Sequence, residues 1–290
     1  MRHARVLGLA SLAMVAVGAV AFAQTTVAPL PDNAPVETAP LEIDMTKTAW
    51  GNAEAGESKA ATCAACHGVD GNPADPQYPR IAGQPERYVA HQLALYASGQ
   101  RNSGLAAIMM PFAQALSPQD MRDVGAYFAS QKSQAGLADD TVIAEGPQQG
   151  MKFYAVGEQL YRQGDASRDI PACQACHGPS GAGNPGPAYP RLGGQMADYS
   201  ERRLIEYREG VHNLKDPALF NVMQQVAQNL TDVEIQSLST YLQGLHDRAD
   251  DAAAATGGAP APAPAAPAPA PAPATPAPAE PTAEPAVQQS

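Results

Sequence analysis

The sequence predicts an all-α protein whose folded part consists of two copies of one helical unit in tandem. Apolar residues recur at the spacing of amphipathic helices, and no segment shows a convincing alternation of apolar and polar residues. YPRIAGQ at 78–84 returns as YPRLGGQ at 189–195, and a C-x-x-C-H motif also occurs twice. Two copies indicate a duplicated domain, because a solenoid needs more units to bury its faces.

The first 23 residues are predicted to be a secretory signal peptide. Arg2 and Arg5 precede an apolar run from Val6 to Val20, and Ala-Phe-Ala at 21–23 matches an A-x-A cleavage site. An uncleaved membrane anchor is the alternative, because the apolar run is near the lower length limit for a spanning helix. The Pro-rich, acidic residues 24–51 are expected to form a linker.

Charge and composition limit the partners that the chain can have. Cleavage of the signal peptide would remove two arginines and no acid, which takes the formal charge from −11 to −13. An acidic exported protein is a poor candidate for nucleic-acid binding and favours basic partners. Residues 252–290 are almost entirely proline and alanine, so we expect a disordered tail over 248–290 that acts as a solubilising spacer or, alternatively, as a tether.

The repeat divides the folded part into two domains. We assign domain 1 to residues 52–135, an interdomain linker to 136–150 and domain 2 to 151–247. Each domain has about 80 to 100 residues, so its core is thin and would gain stability from a large buried cofactor.

Helices are expected at corresponding places in the two domains. One helix leads into each C-x-x-C-H motif, at about 54–61 and 156–162, and another covers 85–97 in domain 1. The last helix of domain 1 begins at Ser117, which is followed by proline at the first helical position. Its counterpart in domain 2 begins at the T-x-x-E capping box that starts at Thr231.

All four cysteines belong to the two repeated motifs, which comprise Cys63, Cys66 and His67 in domain 1 and Cys173, Cys176 and His177 in domain 2. A C-x-x-C pair can form a disulfide, a redox pair or half of a zinc site, but none of these explains the histidine that follows both times. Covalent attachment of haem c explains every residue, because two thiols bond to the two vinyl groups of one haem and the histidine binds its iron. The sequence therefore predicts two covalently bound haem c groups.

A methionine is expected as the second axial ligand of each iron. Domain 2 offers Met196, at the start of a helix, and Met223, which we expect in the loop before the last helix. Domain 1 offers Met109, Met110 and Met121. When Leu116-Ser117 is aligned with Leu230-Thr231, Met109 is equivalent to Met223. We therefore predict these two methionines as the ligands. Met110 is the alternative to Met109, because the following proline gives it the Met-Pro sequence of many small cytochromes c.

The order of these motifs resembles that of the dihaem cytochrome c4 family. The resemblance covers about residues 52–246 and rests on CAACHGVDGN, YPRIAGQPERY, LSPQDMRDVGAYFASQK, GEQLYRQGDASRDIPACQACH, YPRLGGQ and YLQGLH. It implies two class I cytochrome c domains related by a pseudo-twofold axis, with haem edges close enough to exchange electrons. It also implies that the carbonyls of Pro79 and Pro190 hold the two proximal histidines, and that the protein is periplasmic, either soluble or associated with the membrane surface.

Other residues near the motifs each have two possible roles. Arg80 and Arg191, or Tyr88 and Tyr199, are candidates for contacts with haem propionates, but they would also suit surface arginines and packed tyrosines. Three further histidines have no counterpart in the repeat and are expected at the surface or in packing: His91, His212 and His246.

Three functions fit these predictions. The first is a periplasmic carrier that moves single electrons from a cytochrome bc-type complex or a dehydrogenase to a terminal oxidase, since His/Met ligation leaves no open position on the iron. The second is the haem subunit of a dehydrogenase complex, which differs only in having a permanent partner. The third, a dihaem peroxidase-like enzyme, would need one open or unusually ligated iron.

Overall fold

The computed structural model describes residues 43–255, with side chains to residue 251. Within that range the protein is helical, and three isolated β-bridges are its only β-structure. The all-α prediction is therefore confirmed. None of the helices in the described range is long and apolar enough to cross a membrane. The predicted signal peptide, most of the first linker and residues 256–290 of the tail lie outside the described residues.

In domain 1 two longer helices pack against the last one. The α-helices are α1 (Ala53–Ala60), α2 (Ala64–His67), α3 (Glu86–Ala97), α4 (Met110–Gln114) and α5 (Pro118–Ser130), with 3-10 turns at Ala61–Cys63 and Gly104–Met109. Helices α1 and α3 both contact α5. The core between them includes Leu93, Met121, Val124 and Phe128.

Domain 2 repeats this arrangement. Its α-helices are α6 (Phe153–Gln163), α7 (Gln174–His177), α8 (Ala197–Glu209), α9 (Ala218–Ala227) and α10 (Asp232–Gly244), with a 3-10 turn at Ala166–Arg168. Helices α6 and α8 contact α10 as α1 and α3 contact α5. The core here includes Leu160, Tyr161, Ile235 and Leu238.

The first helix of each domain crosses the last helix at a glycine. A Cβ on Gly56 would lie 2.0 Å from the backbone oxygen of Asp123, and a Cβ on Gly157 would lie 2.0 Å from that of Ser237. Only a residue without a side chain permits this approach. The two glycines therefore fix how closely the helices around each C-x-x-C-H motif pack.

Both final helices begin with a capping box. The Ser117 side chain accepts a hydrogen bond from the Asp120 amide, and the Asp120 carboxylate accepts one from the Ser117 amide. Thr231 and Glu234 make the same reciprocal pair. The predicted starts at Ser117 and Thr231 agree with the structure, although the reciprocal role of Asp120 was not predicted.

The ends of the expected linkers and tail have defined structure. Ile43 and Met45, within the first linker, pack against the core of domain 1. Ile143, within the interdomain linker, is 3% exposed and belongs to the core of domain 2. Residues 248–255, which we placed in the disordered tail, form helix α11 (Arg248–Ala255). The folded part is thus larger on each side than the repeat alone indicates.

Candidate functional site

The site is one continuous cavity of about 450 Å³ that extends through both domains, and most of its lining side chains are apolar. Helices α2 and α7 each carry the second cysteine and the histidine of a C-x-x-C-H motif, and the first cysteine immediately precedes the helix. None of the four cysteines forms a disulfide. They line the cavity together with both histidines.

Burial raises the pKa of the first cysteine of each motif. It raises the pKa of the Cys63 thiol and raises that of Cys173 to about 11. A thiol pair in each domain therefore faces the same apolar space as a histidine, which is the donor set that covalent haem attachment requires.

Each proximal histidine is held by a proline carbonyl. His67 Nδ1 donates to the Pro79 oxygen over 2.9 Å, and His177 Nδ1 donates to the Pro190 oxygen over 2.9 Å. Because a carbonyl oxygen can only accept, Nδ1 carries the proton and Nε2 keeps its lone pair. Burial also lowers the pKa of both imidazoles, which favours the neutral form that can bind a metal.

Met109 and Met223 line the cavity, and Met110 is not among its lining residues. The methyl of Met110 lies instead near Gly99, 3.6 Å from where a Cβ would stand. Met121 is fully buried in the core of domain 1, and Met196 is the N-cap residue of α8. Of the methionines considered, Met109 and Met223 are thus the ones placed in the same cavity as the histidines.

The expected position of Met223 in a loop was wrong, because Met223 lies inside α9. Its counterpart Met109 ends a 3-10 turn and precedes α4, so both methionines are on helical segments. The charged and Pro-containing stretch before Met223 suggested a loop, but α9 begins directly after Pro217. Its apolar residues, which include Phe220 and Val226, then face the cavity at helical spacing.

An insertion before the second motif was missed. Gly157 follows Gly56 by 101 positions, whereas Cys173 follows Cys63 by 110, so nine extra residues lie between α6 and Cys173. Arg168 in this segment bonds the carboxylate of Glu234 with both terminal nitrogens. The changed offset was visible in the sequence, but the ion pair that ties the segment to the start of α10 was not.

Arg80 and Arg191 lie in the contact between the domains. The Arg80 guanidinium donates to the backbone oxygen of Gly194 in domain 2, and the Arg191 amide donates to Gln84 Oε1 in domain 1 over 3.0 Å. Both arginines also line the cavity. Arg80 Nε is buried and has no hydrogen-bond partner in the described part of the chain.

A second pair of arginines, which sequence reasoning missed, lies near Tyr88 and Tyr199. Arg101 donates to the Tyr199 hydroxyl over 3.1 Å and stacks on Tyr96 at 4.8 Å. Arg203 stacks on Tyr207 at 4.5 Å. Arg101 has no counterpart of the same type in the repeat, because His212 occupies the equivalent place after α8. The repeat therefore gave no signal for it.

Of the three histidines expected at the surface or in packing, His212 packs its ring on Phe220 at 4.6 Å, and both His212 and His91 line the cavity. His246 lies away from it and pairs with Asp251 over 2.6 Å.

The residues present fit two haem c groups. The cavity is continuous, and most of its lining side chains are apolar. In each domain it is lined by two cysteines, one neutral histidine and one methionine, and the two methionines occupy equivalent positions in the repeat. Two buried arginine nitrogens, Nε of Arg80 and Nε of Arg101, lack partners among the described residues. Buried guanidinium groups of this kind are suited to carboxylates such as those of haem.

Comparisons with known proteins agree with this chemistry. A family model described as Cytochrome c matches residues 53–132 and 154–246. Cytochrome c4 of Pseudomonas aeruginosa is 40% identical over 198 residues, which cover 68% of this chain and 90% of that protein. The thiosulfate dehydrogenase electron acceptor of Thiomonas intermedia is 37% identical over 186 residues, which cover 63% and 78% of the two chains. The crystal structure of reduced recombinant cytochrome c4 from Pseudomonas stutzeri, also 40% identical, has a TM-score of 0.59 and covers 68% of this chain and 100% of that one.

The two family matches coincide with the two halves of the internal repeat, and each contains one C-x-x-C-H motif. The solved cytochrome c4 is covered over its full length, so both domains and their connection are shared. The chain belongs to the cytochrome c4 family and is a dihaem electron-transfer protein with one covalently bound haem c in each domain.

Proposed function

We propose that this chain is a periplasmic carrier that shuttles single electrons between a respiratory-chain donor and a terminal oxidase. When bound, haem c supplies a one-electron couple at its iron. The observation that carries the proposal is that each domain sets a proline-held histidine and a methionine on the walls of the same apolar cavity. Two protein ligands per iron leave no position for a substrate, which favours electron transfer over catalysis.

The side chains have separate tasks in this proposal. Cys63 and Cys66 anchor one haem and Cys173 and Cys176 the other, through thioether bonds. Each iron has one histidine and one methionine ligand: His67 with Met109, and His177 with Met223. Pro79 and Pro190 fix the histidine rings in the orientation and tautomer that present Nε2. Arg80 and Arg191, which line the cavity, would bind haem carboxylates.

The near-infrared spectrum of the oxidised protein tests the ligand set. A methionine-to-iron charge-transfer band at full intensity for two haems is expected. Met109→Ala should remove half of that intensity, because Met109 lines the cavity, and the matched Met110→Ala should retain all of it. The assignment would be overturned if Met110→Ala were the variant that lost half of the band. A high-spin signal in the unmodified protein would contradict the carrier function itself.

A second candidate is an electron acceptor for a dehydrogenase. The similarity to the thiosulfate dehydrogenase electron acceptor of Thiomonas intermedia favours it. Such a role uses the same two haems and differs in the donor. The test is the rate of haem reduction by thiosulfate with a catalytic amount of a thiosulfate dehydrogenase, compared with reduction by a cytochrome bc-type complex. Fast reduction by the first donor alone would replace the respiratory-chain donor in the proposal.

A further inference from the structure

Two peptide groups of this protein each form hydrogen bonds with side chains of both domains. One joins Pro79 to Arg80, and the other joins Pro190 to Arg191. The carbonyl of each accepts Nδ1–H of the proximal histidine in its own domain, over 2.9 Å in both cases. The N–H of the same peptide group donates to a glutamine of the opposite domain.

The glutamines are the last residues of the two copies of the YPR-x-x-GQ motif. Gln195 Oε1 accepts from the Arg80 amide over 2.8 Å, and Gln195 Nε2 donates to the Arg80 oxygen over 2.9 Å. In the reciprocal pair, Gln84 Oε1 accepts from the Arg191 amide over 3.0 Å, and Gln84 Nε2 donates to the Arg191 oxygen over 2.9 Å. Gln84 and Gln195 are only 4% and 5% exposed, so water does not compete with these bonds.

A peptide group transmits the effect of one hydrogen bond to the other. Its N–H and C=O belong to one conjugated unit, and donation from the N–H raises the electron density on the oxygen, so chains of such bonds strengthen one another. A stronger carbonyl acceptor makes the histidine that donates to it more basic. A more basic axial ligand stabilises the oxidised iron and lowers its reduction potential.

We propose that each domain tunes the haem of the other. Gln195 in domain 2 strengthens the Pro79 carbonyl and lowers the potential of the haem that His67 binds. Gln84 in domain 1 acts in the same way, through Pro190, on the haem that His177 binds. Both glutamines line the cavity, but they act as positioning residues, since their side-chain amides bond the backbone of the opposite domain. The inference rests on the axial roles proposed for His67 and His177.

The test is a redox titration of four variants of the haem-loaded protein, followed by paramagnetic proton NMR to resolve the haem methyl signals of each domain. In Gln84→Met and Gln195→Met the glutamine is replaced by an apolar side chain of similar length. In Gln84→Asn the amide is retained, but the side chain is one methylene shorter. This variant keeps the test valid if Gln84→Met fails to fold. Gln243→Met is the matched control, because Gln243 bonds the backbone of Ala197 and Leu137 and neither Pro–Arg peptide.

The expected result is a crossed pattern. Gln84→Met and Gln84→Asn should raise the potential of the haem in domain 2, so that its reduced-to-oxidised ratio at a fixed ambient potential rises by about threefold or more. Gln195→Met should do so for the haem in domain 1. Gln243→Met should shift neither. The amide proton of Arg191 should also exchange faster with solvent in the two Gln84 variants, because it loses its buried acceptor.

Three results would overturn the proposal: a shift confined to the haem of the mutated domain, equal shifts of both haems, or no shift beyond that of Gln243→Met. Equal shifts would indicate a general loosening of the domain contact. The near-infrared methionine band is recorded on every variant. If this band is intact and the crossed shift is missing, the proposed tuning by glutamine is refuted, whereas the proposed axial ligands are not. If the band is absent in the unmodified protein, the axial ligation fails first.

Discussion

Among single residues, Glu234 shows how a buried charge is used outside the haem cavity. Its side chain is 1% exposed and pairs with Arg168. Burial alone would raise the pKa of this carboxyl, but hydrogen bonds from Arg168 and Thr231 outweigh burial, and the pKa falls below its ordinary value. One carboxylate therefore both caps α10 and ties down the inserted segment that precedes Cys173.

The lowered pKa makes the stability of domain 2 dependent on pH. A carboxyl whose pKa is lower in the folded state stabilises that state above its unfolded pKa, near 4.5, and the contribution is lost as pH falls through the folded value. Glu234→Gln should lower the free energy of unfolding at pH 7 by about 1–3 kcal/mol and should flatten its decline below pH 4.5. Denaturant unfolding from pH 7 to pH 3 measures both. Glu209→Gln, at an exposed position, is the control, and an equal loss in the two variants would refute the role of Glu234.

Some residues of the site could be predicted from the sequence, whereas the roles of others could not. The cysteines and histidines followed from the motif, and alignment of the two repeats favoured Met109, which lines the cavity, over Met110, which does not. The YPR-x-x-GQ motif was visible twice, but the roles of its members were not. Its tyrosine lies beside the proximal histidine, with ring centroids 6.2 Å apart in domain 1 and 6.0 Å in domain 2, while its glutamine binds the other domain. A sequence carries no information on which face of one copy meets the other.

At the level of helices, the crossing of α6 and α10 is set by Gly157. A Cβ at this position would lie 2.0 Å from the Ser237 carbonyl oxygen and 2.7 Å from the Tyr241 Cβ, so only a hydrogen atom fits there. Helix propensity would favour alanine at this position, so the glycine is explained by packing. The same applies to Gly56 on α1.

Gly157→Ala should therefore destabilise the protein although alanine is the better helix former. Overpacking of this kind is expected to lower the free energy of unfolding by about 3 kcal/mol, which denaturant titration of the haem-loaded protein measures. Gly186→Ala is the control, because a Cβ there meets only the tip of Asn184, at 3.3 Å. A stability change for Gly157→Ala no larger than the control's would show that the crossing can widen without cost.

Helix positions were predictable where a cap or a proline marks a start, and less so elsewhere. Ser117 and Thr231 marked α5 and α10 correctly. The helix that carries Met223 was missed, because Pro217 and the charged residues before it read as a loop, whereas proline is also common at helix starts. Contacts of the linkers with the cores were missed for a different reason: Ile43 and Ile143 lie in segments with only a few apolar residues, which are too short to show a helical period.

For the whole molecule, the two domains are joined by buried hydrogen bonds to backbone atoms as well as by the linker. Reciprocal bonds of Gln84 and Gln195 lie at the centre. Around them, Arg202 donates to the Gln77 oxygen over 2.8 Å, and Asn213 donates to Asn102 over 2.9 Å. The pairs in the centre connect equivalent positions of the two repeats, as the predicted pseudo-twofold relation requires.

The proposed export predicts the mass of the mature protein. If the signal peptide is cleaved after the A-x-A site, the protein isolated from the periplasm begins at Gln24 and carries two haem c groups. Intact-mass spectrometry should therefore give the mass of residues 24–290 plus two haems. Cys173→Ser/Cys176→Ser should carry one haem fewer, which provides an internal calibration. A mass that includes residues 1–23, together with recovery from the membrane fraction, would favour the uncleaved anchor.

The reciprocal glutamines have a consequence for the ancestry of the molecule. What each glutamine binds is the main chain of its partner, and every residue except proline offers the same N–H and C=O groups there. A single copy of the domain contains both the glutamine and the peptide group that a glutamine recognises, so two separate copies can associate face to face with the contacts now found inside one chain. Gene fusion would then have converted a symmetric dimer into a single polypeptide without inventing an interface, and the two halves were afterwards free to diverge at their side chains.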